Sequence, residues 1–417
     1  MKLGLGAATT AAIAVLAYLP SLAGVFQFDD YNVIVNNPTV HSWGALLEGG
    51  GVRPLLKASY TLNWTLGFGF GFFNVAVHAV NAALLFLIGE RLFGDRRAAL
   101  IAALLFALHP AATEAVTYIS GRSFSLMATF YLGALLLYLQ GYRFLSVLFF
   151  FLAVATRETA LTLPAALLLC EVCRGTWPGW REVLRRQWAH WTLLLAGVVF
   201  VLVNPRYFEL VAYGFGERSL GDNLLTQVGG VSYLILRLVS LHGYNIDPAL
   251  PTLTEWTPEL AFQGFLLISL FVLGLINLPQ RPWITFGILW FFLQLAPTNS
   301  IVPRLDVAND RQLYLASWGL FLALCVHLRD LPRGAFAALA IAFLVACVMR
   351  QLDYRSEIAL WESSVALAPW NARGHNNLGY AYQMAGRFEE ARREYQTALL
   401  LSPAHAKARL NLHFLKD

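Results

Sequence analysis

Charge is what this chain has least of. Only 13% of its 417 residues are Asp, Glu, Lys or Arg, against 58% hydrophobic, and mean hydropathy is +0.56. A water-soluble fold would have to leave large apolar patches exposed, so the composition excludes a soluble globular enzyme and makes the bilayer the solvent. Alternation of apolar and polar residues is missing too. With it goes the signature of an outer-membrane barrel, whose strands alternate over roughly 10 residues. Cysteine is scarce: Cys170, Cys173, Cys325 and Cys347 all lie in or beside apolar runs. The Cys170/Cys173 pair lacks the two further ligands of a structural zinc site, and the four read as small buried residues. The net charge of +5 is carried mostly by arginine and gives no nucleic-acid signal.

What is present is a series of continuous apolar runs rich in Leu, Ala and Phe: Leu5 to Phe26, Phe72 to Leu92, Ala98 to Leu108, Leu126 to Leu139, and onward to Val348. Several approach the roughly 20 residues a helix needs to cross the hydrocarbon. Lys2 and the small residues around Ala23 imitate a secretory signal, but the many later spans make the first run an uncleaved signal-anchor. Arg91, Arg96 and Arg97, then Arg174, Arg181, Arg185 and Arg186, mark cytoplasmic loops, which places residues 27–70 outside. If Gln227 to Leu241 lies along the outer surface, Arg281, Arg329 and Arg333 also fall inside, giving about eleven spans with the C-terminus outside. A crossing there would invert everything after it.

After the last span hydropathy drops and a helical repeat appears. Leu378, Gly379, Tyr382, Ala391, Tyr395, Ala398 and Pro403 have the spacing of a tetratricopeptide repeat. Trp361 and Pro369 precede Tyr395 and Pro403 by one repeat length, which adds the second helix of a preceding repeat. The expectation is an all-α chain: a polytopic membrane module over 1–352 and a short repeat domain over 353–417. So short an array buries little surface and must dock on the membrane module or on a partner.

The polar residues of the membrane module cluster. Phe28-Asp29-Asp30-Tyr31 puts two carboxylates at the end of a span, where desolvation is costly unless they are paired or used. One suits a general base toward a hydroxyl nucleophile; the other would orient it or share a divalent cation. The alternative is a solvated pair that ends the helix. Arg53-Pro54-Leu55, Tyr60 and Asn63 follow, then Asn74, His78 and Asn81 on one helix face, which equally suit ligand contact or hydrogen bonds between spans. His109-Pro110, Glu114 and Arg122 come next, then Arg157-Glu158, whose charges could neutralise each other, then Asp306, Asp310 and Arg311. Acids with several arginines at one membrane face suit a phosphate leaving group, because the guanidinium fork stays charged and matches phosphate oxygens. A glycosyl centre passing through an oxocarbenium-like state needs a carboxylate on the nucleophile side, with cations on the departing phosphate.

Phe28-Asp29-Asp30, Asn37-Pro38, Arg53-Pro54-Leu55, Asn74 with His78, His109-Pro110 with Thr113-Glu114-Ala115-Val116, Gly121-Arg122, Arg157-Glu158, and Asp310-Arg311 with Leu313-Tyr314-Leu315 form an ordered set. Together with the repeat, this set resembles the transmembrane and tetratricopeptide-repeat-containing O-mannosyltransferases and their bacterial relatives, within the GT-C glycosyltransferase superfamily. Departures are Gly71 where many relatives have histidine, Arg157 where a lysine often stands, and Asp310-Arg311-Gln312 for the usual Glu-Arg. The resemblance implies a GT-C fold and a polyprenyl-phosphate-linked sugar as donor, with the repeats on the outer side. It makes Asp29 the base with Asp30 in support, Arg53, Arg122, Arg157 and Arg311 the donor-phosphate ligands, and His109, Glu114, Glu158, Asn74 and His78 the residues that shape the site. The expected partners are the bilayer, the lipid-linked sugar and a protein or glycan acceptor, at the periplasmic face of a bacterial inner membrane. A non-catalytic membrane scaffold and a lipid-linked-sugar flippase are the competing classes.

Overall fold

A computed structural model describes residues 4–49, 51–175 and 177–415, and every regular element among them is helical. Five helices are long and apolar enough to cross a membrane: Phe70–Phe93, Ile119–Leu139, Trp180–Val203, Pro258–Ile276 and Arg333–Asp353. Arg96–Leu108 and Pro110–Val116, bent by 57°, make a sixth if counted as one broken span, and Leu5–Ala17, Arg143–Thr156 and Pro282–Leu295 are shorter apolar helices. The expected count of about eleven is therefore not reached by length and composition. Hydropathy runs straight through breaks that the backbone makes. His109-Pro110 bends one run, because proline lacks an amide donor and crowds the preceding turn. Extended backbone at Arg157 (φ −159°, ψ 135°) divides another into Arg143–Thr156 and Leu163–Cys173. The segment Gln227 to Leu241 belongs to a helix, Leu220–Ser240, that is not among the candidate spans; one face of it is buried through Asn223, Gln227, Val231 and Leu234.

The core gathers around Phe70–Phe93, which packs against Leu5–Ala17, Arg96–Leu108 and Arg122–Leu139. Its interior face is polar as well as apolar. His78 Nδ1 meets the Tyr314 hydroxyl at 2.9 Å and Nε2 lies 3.3 Å from the Ala107 carbonyl, while Asn81 donates to the Ser125 carbonyl (2.8 Å) and accepts from Thr129 (2.8 Å). Buried polar groups in hydrocarbon must find partners, and here they join helices. Pro282–Leu295 and Leu313–Leu328 cross at Gly287 and Gly319, where a Cβ on either would strike the other's carbonyl oxygen.

The two ends of Phe70–Phe93 have different chemistry. At its C-terminal end the loop Gly94–Asp95 meets the loop after Leu313–Leu328, with Arg329 paired to Asp95 at 2.6 Å and Arg97 donating to the Leu331 carbonyl. Two of the Arg-rich loops expected on one side thus do meet. The other end of this 24-residue helix, about 36 Å away at 1.5 Å per residue, faces the candidate site.

Arg333–Asp353 leads directly into the repeat region, Glu357–Leu367, Ala372–Met384, Phe388–Leu401 and Ala406–Phe414. Gly379 lets Tyr395 and Ala391 close on the first helix of the pair, and Ala391, Tyr395 and Ala398 are fully buried. The region shares one apolar cluster with the membrane module: Trp361, Leu360, Leu378 and Tyr395 pack with Tyr118, Ile246 and Tyr354, and Phe28 lies edge-on to Trp361 at 5.0 Å. That docking supplies the burial a repeat and a half lacks by itself. All four cysteines are free and buried.

Candidate active site

The segment 27–30 is held at four consecutive residues. Gln27 donates to the Tyr354 carbonyl (2.7 Å), the Phe28 amide to Glu357 (3.3 Å), the Asp29 amide to the Tyr118 hydroxyl (2.9 Å), and Asp30 accepts from the Gln27 and Ser120 amides (3.0 and 2.8 Å). Phe28 takes φ +46° to allow this path, a strained value for a bulky side chain that the surrounding contacts must hold in place. The two carboxylates consequently differ. Asp30 is fully buried and both its oxygens are occupied by backbone donors; burial still pushes its carboxyl up to about 7. Among the described residues, nothing donates to the Asp29 carboxylate. It is half-buried, and burial raises its pKa against the pull of Arg311, while Asp306 raises it further.

The shelf under Asp29 and Asp30 is the turn Tyr118–Gly121. Asn74 donates to the carbonyls of Val116, Tyr118 and Ile119, and its oxygen accepts from Arg122 Nε at 2.7 Å. Arg122 is completely enclosed: Nη1 donates to the carbonyl and hydroxyl of Ser59, Nη2 to the Phe70 carbonyl, and the guanidinium lies over Phe73 at 4.3 Å. Gly121 stands where a Cβ would strike the Glu114 carbonyl oxygen. Asn74, Gly121 and Arg122 therefore build the shelf. All three guanidinium nitrogens of Arg122 are engaged by the protein, which places it apart from the other expected phosphate ligands.

Those others do assemble. Arg53, in left-handed backbone (φ +56°) ahead of Pro54, forks onto Glu158 with Nε–Oε2 3.0 Å and Nη2–Oε1 2.6 Å. Glu158 thus takes Arg53 as its bidentate partner rather than its neighbour Arg157, and the arginine pair keeps its carboxyl far below the usual range. Arg157 turns onto the Phe124 ring (3.8 Å) and donates to Ser123 Oγ (3.0 Å), leaving its buried Nε without a partner. Arg311 lies over the same ring at 5.9 Å; its amide donates to Glu114 Oε2 (3.1 Å) and its Nε approaches Oε1 at 3.5 Å. Phe124 was not singled out by sequence, being one apolar residue in an apolar run. Arg304, also missed, is the only basic residue between Arg281 and Arg311. Attention went to Asp29 and Asp30 because two adjacent carboxylates close an apolar span; a single arginine in a loop carries no such signal and no periodicity to rank it.

His109 sits elsewhere: its Nδ1 accepts from the Ala111 amide at the bend and its Nε2 meets the Leu238 carbonyl at 3.1 Å. With His78 it serves packing. Asp310 accepts from the Asn245 amide (2.8 Å). Among the described residues no three His, Cys, Asp or Glu side chains come together as a metal-ligand set, and Asp30 is turned to its own loop.

The repeat reaches this centre. Arg373 forks onto Asp247 (2.7 and 2.6 Å) and bonds Asp306 (2.8 Å), Asn371 donates to the Asp247 carbonyl, and Ser364 and Asn245 bond each other (2.6 Å). A cavity of about 370 Å³ opens at this junction, lined by Asp247, Leu305, Asp306, Asn371 and Arg373. The charges of Arg373 and Lys407 in the repeat region act on Asp29, behind burial, Arg311 and Asp306.

Comparison with known proteins gives a family model and several relatives. Residues 372–405 match the tetratricopeptide repeat model. Protein O-mannosyl-transferase F38B6.6 of Caenorhabditis elegans is 25% identical over 94% of this chain and 62% of its own length. Protein O-mannosyl-transferase TMTC4 of Homo sapiens is 26% identical over 88% and 62%. Tmtc1 of Drosophila melanogaster reaches 34% over 42% of this chain and 23% of its own. The chain resembles the protein O-mannosyl-transferases over most of its length. It spans about 60% of the first two of these relatives. The matched stretches of the first two relatives are long enough to take in both the apolar helices and the C-terminal repeat of this chain.

Proposed function

We propose that this chain is a membrane glycosyltransferase of GT-C type that moves a sugar, mannose or one like it, from a polyprenyl-phosphate donor to a hydroxyl, with protein Ser or Thr as the favoured acceptor class. The names of the relatives support a transferase acting on protein. The observation that carries the chemical assignment is the contrast between the two adjacent acids. Asp30 is consumed by backbone donors, whereas the Asp29 carboxylate has none among the described residues and feels the charge of Arg311.

In this reading Asp29 takes the proton of the acceptor hydroxyl as its oxygen bonds to the anomeric carbon. The bond from that carbon to the phosphate oxygen breaks, and its electron pair leaves with the lipid phosphate. Arg157 and Arg311, braced on Phe124, stabilise the charge that develops there, and the Arg53–Glu158 fork orients the cations around it. Burial raises the Asp29 pKa, which makes its carboxylate a stronger base than an exposed one. The acceptor enters past the junction with the repeat, where Asp306 and Arg373 stand. The site belongs on the outer face of a bacterial inner membrane, on the same side as the repeat, as the Arg-rich loops at the opposite end favour.

The test is sugar transfer from a panel of polyprenyl-phosphate donors in membranes holding the wild type or Asp29→Asn, with protein, glycan and lipid fractions counted separately. Label in protein that depends on Asp29 is expected. Transfer that persists unchanged in the variant removes Asp29 as base, and no transfer with any donor from folded protein returns the chain to a scaffold or flippase role.

A further inference from the structure

We propose that the end of the molecule opposite the candidate site holds the phosphate of an anionic phospholipid, in a pocket lined by Asp95, Trp283 and Arg329. The proposal goes beyond the transferase reading and uses none of its residues.

Its starting point is two hydrogen-bond donors that the chain leaves without an acceptor. A cavity of about 100 Å³ lies where the C-terminal ends of Phe70–Phe93 and Leu313–Leu328 meet the N-terminal ends of Arg96–Leu108 and Pro282–Leu295, with Gly89, Ala98 and Ala99 in its wall. That is several times the roughly 10–15 Å³ a single water needs. Trp283 Nε1 and Arg329 Nε, both from residues that line it, are enclosed and have no hydrogen-bond partner. Their neighbours do not satisfy them: the Trp283 ring meets Phe93 edge-on at 6.5 Å, and the Asp330 carboxylate comes only to 3.8 Å from Arg329 Nε. Asp95 is the one acid in the wall, and both its oxygens are engaged. Oδ1 accepts from the Ala98 amide at 3.0 Å and Oδ2 from Arg329 Nη1 at 2.6 Å. Enclosed donors without acceptors cost free energy, so the missing acceptor has to come from outside the chain.

Charge and position name that acceptor. Residues 90–97, 277–283 and 329–333 carry six arginines against three acids, Glu90, Asp95 and Asp330. Arg91, Arg281 and Arg333 are exposed and make no ion pair among the described residues, and Arg96 comes no nearer than 3.8 Å to Glu90. An anion fits this surplus. Leu275 and Ile276, shortly before Trp283, and Leu324, next to Cys325 of the cavity wall, are exposed apolar side chains at the same end, which acyl chains can cover. Indole rings favour the headgroup level of a bilayer, and basic pockets between spans take acidic headgroups. A phosphodiester seated here accepts from Trp283 and Arg329 together. It thereby ties the start of Pro282–Leu295 to the end of Leu313–Leu328, the two helices that flank the loop at residues 296–312.

The experiment uses the full chain. Native mass spectrometry measures retention of phosphatidylglycerol and of phosphatidylcholine with the same acyl chains, and melting temperature is read in phosphatidylcholine nanodiscs with and without phosphatidylglycerol. Trp283→Phe keeps a ring against Phe93 and removes the N–H; Arg329→Lys keeps a cation for Asp95 and removes Nε. Arg181→Gln, an exposed arginine outside the pocket, controls for surface charge. Wild type should retain phosphatidylglycerol in preference and melt higher when it is present. Trp283→Phe and Arg329→Lys should each weaken retention roughly tenfold, the scale of a lost hydrogen bond to a charged group, and lose the rise in melting temperature, while Arg181→Gln behaves as wild type. Equal retention of the two lipids by wild type overturns the anion site. Phosphatidylglycerol binding unchanged in both pocket variants overturns its placement. Displacement of the lipid by an equal concentration of free glycerol phosphate overturns a lipid as the occupant. A Trp283→Phe variant that melts below wild type in phosphatidylcholine alone shows that the N–H has a partner within the protein, and overturns the premise. None of these outcomes bears on the transferase reading.

Discussion

The turn at residues 116–122 and the loop at residues 300–312 each present arginine near the segment that carries Asp29 and Asp30, and they use it in opposite ways. Arg122 is as buried as any residue in the chain and every guanidinium nitrogen has an acceptor in the protein. Arg304 and Arg311 are more open and their donors are under-used. The first arrangement is finished without a ligand. The second leaves guanidinium donors without a protein acceptor among the described residues. The same division separates Asp30 from Asp29, neighbours in sequence with opposite fates. Residue type and position at a membrane face therefore do not distinguish architecture from chemistry; the partner census does.

The comparison breaks first at the acids. Asp29→Asn should lower transfer by roughly 10²–10⁴-fold, the usual share of a general base, with little change in melting temperature, since no hydrogen bond to its carboxylate is lost. Next comes the finished arrangement. Arg122→Leu should destabilise the protein by about 3–5 kcal/mol, because Asn74 Oδ1 and the Ser59 and Phe70 carbonyls are left buried and unpaired. Thermal unfolding in detergent reads this directly. Arg157→Gln, by contrast, should spare stability and lower kcat by roughly 10²-fold through the leaving group. If Arg122→Leu folds normally and Arg157→Gln does not, the assignment of the two roles is reversed.

Much of this site was legible in the sequence, and the boundary of legibility has a physical reason. Charges at the edges of apolar runs pointed to Asp29, Asp30, Arg157 and Arg311, because ionisable groups at the edge of hydrocarbon are costly and so informative, whereas Arg53 came from the Arg53-Pro54-Leu55 motif. The repeat was legible because Gly379, Ala391 and Tyr395 answer to a fixed helix–helix geometry. Span number was not, since hydropathy cannot see the extended residue at Arg157 or the bend after Leu108. Nor was the pairing of Arg53 with Glu158, 105 residues apart, in place of the adjacent Arg157. Long-range partner choice is set by packing, and packing leaves no mark in one sequence.

Two smaller effects sharpen the contrast. The pH profile of kcat/KM should carry an acid limb set by Asp29. Its folded-state pKa is raised, so the base form is lost as pH falls through a value above the usual carboxylate range, and the limb should sit higher than an exposed aspartate would give. Arg311→Lys should leave that limb near its place, whereas Arg311→Gln, by removing the cation that pulls Asp29 down, should move it upward. The smallest effect belongs to the junction. Arg373→Gln removes the bonds to Asp247 and Asp306 while leaving the apolar cluster around Trp361 intact, so the repeat stays docked and the loop carrying Arg311 loosens. A several-fold loss of transfer is expected, no more than roughly 1.4 kcal/mol for a tenfold change. If the repeat serves the loop, the loss appears in kcat and in donor affinity; if it serves only to hold the acceptor, KM for the acceptor alone rises.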